Sequence, residues 1–142
     1  MNQGLDLPAF VKAAADAIIA AGADGEIIFW NAAATRIFGY SEAEALNQSL
    51  DLIIPERLRS RHWEGYRKVM QTGQTRYGTE VLRVPAVHKD GRRLSIAFTV
   101  TLLFSSTGAT QAIVAIIRDE TSRWDEERKL RQRIADLEAK NK

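Results

Sequence analysis

The chain contains no cysteine, and that absence removes disulfides, thiolate metal sites and cysteine nucleophiles at once. It agrees with a reducing compartment. Long apolar runs are missing too. None reaches the roughly 18 to 20 residues of a membrane span, and the start carries no signal-peptide pattern. The expectation is a soluble, cytoplasmic chain with no membrane span. Charge of one sign is also scarce: 20 Lys and Arg stand against 18 Asp and Glu, a formal net charge of +2. No strong field therefore marks nucleic acid or an anionic membrane as a partner, and no direct nucleic-acid site is visible. Histidine occurs only twice. No His or carboxylate group has zinc spacing, and neither a Ser-His-Asp elbow nor a Gly-rich phosphate loop is present. These absences leave no catalytic constellation, so the chain is not expected to be an enzyme. A length of 142 residues, 45% hydrophobic and 27% charged, suits one core with extensions.

What the chain does contain is a series of local signals that divide it into short elements. Residues 1 to 16 read as an amphipathic lead-in helix, with Leu7, Phe10, Val11 and Ala14 at helical spacing. Ala17 to Ala21 and Glu26 to Trp30 read as strands. The Gly22-Ala-Asp-Gly25 between them favours a hairpin, because Asp and Gly tolerate positive φ. Asn31 then caps a short helix that Gly39 ends, and Ser41 with Glu44 forms a capping box for the next. Leu50-Asp-Leu-Ile-Ile-Pro55 leads into a longer helix from Glu56 to Gln71, closed by Thr72-Gly73. Three strands follow, from Arg76 to Val87, Arg92 to Phe104 and Thr110 to Arg118. In the middle one Leu94, Ile96, Phe98, Val100 and Leu102 alternate with smaller or polar residues, so one face is buried. That row either lines a cavity or fills a core. His88, in the turn His88-Lys-Asp-Gly91, reads as an exposed hairpin residue and no metal ligand.

The order of these elements, with Asn31 after a hydrophobic strand and Phe38-Gly-Tyr40 closing the helix, resembles the PAS family of sensory domains over roughly residues 15 to 121. The resemblance implies an α+β PAS fold. Its five-stranded antiparallel sheet carries short helices on one face, flanked by N-terminal and C-terminal signalling helices. On this reading residues 1–16 are a flanking helix, 17–121 the sensory domain and 122–142 the start of a signalling coiled coil. Asn47 stands where PAS domains commonly use glycine, and Asn also tolerates a left-handed turn. PAS relatives that hold flavin through a photoactive cysteine, or a chromophore as a thioester, need a thiol that this sequence lacks. The family also implies a module within a signalling protein whose effector, such as a kinase, cyclase or transcriptional regulator, lies beyond Lys142.

In the long helix Leu58, His62, Tyr66 and Val69 are spaced by four, four and three residues, which puts them on one stripe with His62 at its centre. The segment Ile54-Pro-Glu-Arg-Leu-Arg-Ser-Arg-His62 resembles haem-binding PAS oxygen sensors, in which a histidine on this helix is the proximal iron ligand. His62 is thereby the candidate ligand of a haem b iron, or a contact for another small molecule. The alternative is a satisfied, partly buried histidine with no ligand. On the opposite side an ungapped match places Glu80 at a second axial position and Leu82 where an arginine often steadies bound oxygen. Neither obviously donates a hydrogen bond to bound oxygen. Met70, eight residues past His62, lies about 12 Å along the helix axis and cannot share one iron with it. Ile96 and Phe98 complete the candidate lining, while Tyr77 and Arg83 receive no role.

At the far end Arg118-Asp-Glu-Thr121 resembles the Asp-x-Thr junction by which PAS domains pass to a signalling helix. Asp119 and Thr121 are the relay candidates it implies. Beyond them Leu130, Ile134 and Leu137 recur at four and three residues, with Glu127 and Asn141 at the adjoining seam positions. A parallel homodimer is expected, with Trp124 off the seam and packed back on the domain. Two readings of function stand: a sensory and dimerisation module that binds a small molecule, or an unliganded platform for protein–protein contacts.

Overall fold

A computed structural model describes residues 4–75 and 78–141. Its elements run α1 (Leu7–Ala13), β1 (Ala17–Ala21), β2 (Ile27–Trp30), α2 (Ala32–Phe38), α3 (Glu42–Ala45), α4 (Arg59–Thr72), β3 (Leu82–Val87), β4 (Arg93–Phe104), β5 (Thr110–Asp119) and α5 (Thr121–Lys140). Two short 3-10 turns, Leu50–Ile53 and Glu56–Leu58, join α3 to α4. The five strands form one antiparallel sheet in the order β2-β1-β5-β4-β3. The expected α+β architecture is therefore present, strand for strand.

The local chemistry accounts for most of the boundaries. Asn31 accepts a bond from the Ala34 amide at the start of α2, and Gly39 ends that helix at φ 86°. The capping box forms as expected, Ser41 and Glu44 each accepting from the other's backbone N–H. Asn47 takes the left-handed turn at φ 69°. The core gathers inside these turns: Trp30, Phe38 and Ile27 are fully buried among Ala33, Ala34, Ile19, Leu94 and Ile117. The Trp30 and Phe38 rings lie 5.8 Å apart, and the indole N–H reaches Thr35 Oγ1 at 3.0 Å, so its one polar atom is satisfied.

Three boundaries depart from expectation. The lead-in helix is only Leu7–Ala13, because the carbonyls of Val11 and Asp16 are taken by the Asn31 side-chain amide instead of by further helical turns. No residue of α1 is buried. The long helix begins at Arg59, since Glu56–Leu58 closes as a 3-10 turn, which leaves Leu58 ahead of α4. β3 begins at Leu82, not in the mid-seventies. Gly78 turns the chain at φ 56°, and past the Leu82–Phe98 pair β4 is bonded to β5 alone. Arg76 and Tyr77, at the start of the expected strand, lie outside the described residues.

Candidate functional site

Asn31 fixes the frame against which the site is built. Its side chain is 2% exposed and makes four bonds: Oδ1 accepts from the amides of Ile18 and Ala34, and the NH2 donates to Val11 O and Asp16 O. The first strand, the helix after the second strand and the end of α1 are thus tied through one saturated amide. The cap was readable in sequence. Its other three partners, 13 to 20 residues away, were not.

α4 presents a contrasting environment. Tyr66 is buried and its hydroxyl donates to Gly22 O at 2.5 Å, while Trp63 donates its indole N–H to Asp51 Oδ1 at 2.8 Å. The Trp63 ring covers Gly25, where a Cβ would sit 2.1 Å from the ring and φ is 80°. These contacts fasten α4 to the turn between β1 and β2 and to the 3-10 turn Leu50–Ile53. His62 packs against both rings, 4.6 Å from Trp63 and 5.8 Å from Tyr66, the three forming a triangle in which Trp63 and Tyr66 are 5.2 Å apart. Its Nδ1 is buried and has no hydrogen-bond partner. Burial lowers the imidazole pKa below the ordinary 6.5, opposed by the nearby Asp51 carboxylate, so His62 is held neutral. Burial, with the carboxylates of Glu26 and Asp24, likewise raises the Tyr66 pKa.

The remaining expected site residues spread over a wider area. Ile96 is 5% exposed and Phe98 half-buried on the inner face, in a row that register extends from Leu82 through Phe98 and Ile117 to Ala17. Leu82 is half-buried and aliphatic, whereas Glu80 is exposed and outside any strand. Leu58, Val69 and Met70 are half-buried, as are Val100, Leu102 and Ile113 farther along the inner face. The apolar surfaces near α4 are therefore less completely covered than those around Trp30. Two clefts stand out, and His62 lines neither. One, of about 400 Å³, lies among Tyr40, Asp51, Arg59 and the β3–β4 turn. The other, of about 360 Å³, lies between Arg83, Arg93 and Ser95 and the first turns of α5.

His88 corrects the expectation of an exposed turn residue. Its side chain is 16% exposed and packs on Gly39, where a Cβ would meet Cε1 at 2.5 Å. The next residue deepens the contact: Lys89 N–H donates to Phe38 O at 2.9 Å, and its ammonium pairs with Glu44. Held by that ammonium and by the Ser41 amide, the Glu44 carboxyl falls to about 2. The β3–β4 turn is thus latched to the α2–α3 corner.

At the junction Asp119 Oδ1 accepts from the Thr121 amide at 2.9 Å and from its hydroxyl at 2.5 Å. Thr121 Oγ1 in turn accepts from Ser95 N at 3.0 Å, and Glu120 N donates to Ser95 O at 2.8 Å. Thr121, which opens α5, and Glu120 before it are therefore bonded to Ser95 on β4, an interior strand of the sheet. Trp124 packs back on the domain as expected, its ring flanked by Arg93 at 4.9 Å and Arg128 at 5.3 Å. Among the described residues no cluster of three or more His, Cys, Asp or Glu is placed to hold a metal ion, and no helix is long and apolar enough to cross a membrane.

Comparison with known proteins places this geometry. A family model described as PAS fold matches residues 5–119. The chain is 28% identical over 109 residues to the oxygen sensor protein DosP of Escherichia coli, a match covering 77% of this chain and 13% of that protein. It is 45% identical over 47 residues to the sensor protein FixL of Bradyrhizobium diazoefficiens, covering 33% of this chain and 9% of that one. The chain thus spans well under a fifth of these relatives' length. Among solved structures a PAS domain from Colwellia psychrerythraea superposes with a TM-score of 0.71 at 20% identity, covering 82% of this chain and 95% of that one.

Proposed function

The chain belongs to the PAS family, and from that premise we propose that it is the sensory and dimerisation module of a signal-transduction protein, holding a small molecule beside His62. The observation that carries this reading is the His62 imidazole: neutral, packed against two aromatic rings, with a buried Nδ1 that no described residue satisfies. A buried polar atom without a partner costs about 1 to 3 kcal/mol, and a ligand or its water is a ready source of compensation. The half-buried Phe98, Val100, Leu102 and Ile113 provide apolar surface for the body of such a ligand.

Haem b is the specific candidate. A neutral imidazole packed on aromatic rings would suit a haem iron ligand, and the likeness to an oxygen sensor protein agrees. When bound, haem supplies an iron centre whose ligation state can report a diatomic gas. His62 would hold it, and Leu82 would offer the facing side an aliphatic wall in place of a hydrogen-bond donor. Occupancy would alter the packing of α4, and the bonds from Ser95 to Thr121 and Glu120 would carry the change to α5, provided the ligand binds the two arrangements with different affinity. Any catalytic effector, a kinase, cyclase or transcriptional regulator, belongs outside this stretch, and the module acts as a homodimer. The second reading, an unliganded docking domain, is favoured by one observation: neither of the two clefts described above reaches His62.

Reconstitution with haem tests the choice. The expected result is a one-to-one complex with a histidine-ligated Soret spectrum that His62→Ala abolishes. Equal, nonspecific uptake by both proteins overturns the haem assignment, and native mass spectra free of any bound small molecule favour the docking domain.

A further inference from the structure

Of the two clefts described above, the one of about 400 Å³ answers its own charges, since Lys89 pairs with Glu44 and Arg59 lies 3.8 Å from Asp51. The cleft of about 360 Å³ does not. Arg123 takes up both carboxylates on its wall, Glu120 at 3.7 Å and Glu127 at 3.2 Å, whereas Arg83 and Arg93 have no carboxylate partner among the described residues. Two guanidinium groups are left over. A single exposed arginine without a partner is ordinary, but these two line one cleft and share one face of the sheet, on either side of the Pro85–Ser95 pair. We propose that this cleft is a second ligand site, separate from His62, and that it takes a diphosphate group of the kind borne by nucleoside diphosphates and triphosphates.

The spacing of the cations sets the length of the anion. Register places Arg83 opposite Ala97 and Arg93 opposite Val87, so the two Cα atoms are offset by four residues, about 14 Å along the strands. Extended toward each other over Pro85 and Ser95, the side chains bring a planar fork to each end of one short anion, and each fork suits a bidentate grip on phosphoryl oxygens. One of them is fixed in advance. Arg93 lies over the Trp124 ring at 4.9 Å, a stacking that holds the guanidinium plane, leaves its N–H edge free and reduces the ordering that binding requires. The Ser95 hydroxyl, which makes no hydrogen bond among the described residues, adds a neutral donor. Pro85 and Trp124 give apolar wall for the rest of the ligand, and the volume is in the range of small-molecule sites. The carboxylates do not oppose an anion here, because Arg123 and, for Glu127, Arg131 at 3.9 Å neutralise them. Ser95 also holds Glu120 and Thr121, so a ligand in this cleft would brace the exit of α5 from the sheet.

Calorimetric titration of the full chain, free of haem, with inorganic pyrophosphate and with ATP tests the site, and sulfate serves as the single-anion comparison. Both phosphate compounds should bind one to one, about tenfold or more tighter than sulfate. Arg83→Gln combined with Arg93→Gln should weaken them by about tenfold or more, as expected when two charge-assisted grips are lost. Arg67→Gln with Lys68→Gln removes the same charge from exposed positions on α4 and should bind as the wild type does. Bound ATP should also slow amide hydrogen exchange in the first turn of α5. No binding of either phosphate compound, sulfate held as tightly, equal losses in the two double variants, or exchange in α5 that ATP leaves unchanged would each overturn the proposal. Binding of ATP with pyrophosphate silent would overturn it too, since recognition would then lie with the nucleoside. None of these readouts involves His62, so they stand or fall separately from the haem assignment.

Discussion

Two regions of one sheet treat buried polar groups in opposite ways. Around Trp30 every buried donor or acceptor we describe is matched, and Asn31 uses all four of its bonding positions. Around α4 the His62 Nδ1 is buried and unmatched, and the neighbouring apolar side chains are only half covered. The first arrangement is what uniqueness of fold requires. The second sacrifices stability locally, a cost that the proposed ligand would offset.

The contrast can be broken most sharply at Asn31. Replacement by Ala orphans two backbone amides and two carbonyls near the core, and a loss of about 2 to 4 kcal/mol is expected in urea unfolding. A loss below about 1 kcal/mol would mean that the amide is a cap and nothing more.

A smaller effect is expected at the junction, which lies at the edge of both regions. Alanine at Asp119 and Thr121 together should cost about 0.5 to 2 kcal/mol. It should also raise amide hydrogen exchange selectively in the first turn of α5 and at Ser95, whose N–H is bonded to Thr121. Uniform exchange throughout the sheet would instead assign the pair to general stability.

The smallest effect should carry the opposite sign. His62→Leu removes the unmatched atom while keeping apolar volume, so stability should be unchanged or rise by up to about 1 kcal/mol at neutral pH. The pH dependence sharpens the point. Since burial holds the folded imidazole below its ordinary 6.5, the unfolded chain takes up a proton first as pH falls through that value. The contribution of neutral His62 is therefore full above about pH 6.5 and is lost below it, down to the lowered folded pKa. Urea titrations from pH 7.5 to 5 should show a shallower slope in the Leu variant. Identical slopes would place His62 in ordinary solvent contact.

These regions also differ in how much of them the sequence revealed. Hairpin, caps, capping box and the alternation of β4 follow from side chains within a few positions of one another, and the structure has them where local chemistry puts them. The start of β3 was misplaced because a strand needs a neighbour, and nothing local shows that β4 turns to β5 alone beyond Phe98. His88 was misjudged for the same reason, since Gly39, on which it packs, lies 49 positions away in the chain. At α4 the helical period places His62 and Tyr66 together, but the cover given by Trp63 and the bond to Gly22 depend on how the first turn of the sheet meets the helix.

The pairing of β1 with β5 has a mechanical consequence. Ala17, where the chain enters the sheet, sits opposite Ile117, two residues before β5 ends, and Asp16 bridges to Arg118 beside them. Entry and exit therefore lie at the same end of one antiparallel ladder. Tension applied through α1 and α5 would load its hydrogen bonds one after another from that end, as a zip is opened, and would not load them all in parallel. The strand pair that holds the two halves of the sheet together would thus open residue by residue from the Ala17–Ile117 end under a pull on the flanking helices, and because Ile19 and Ile117 both belong to the core around Trp30, that core would open with it.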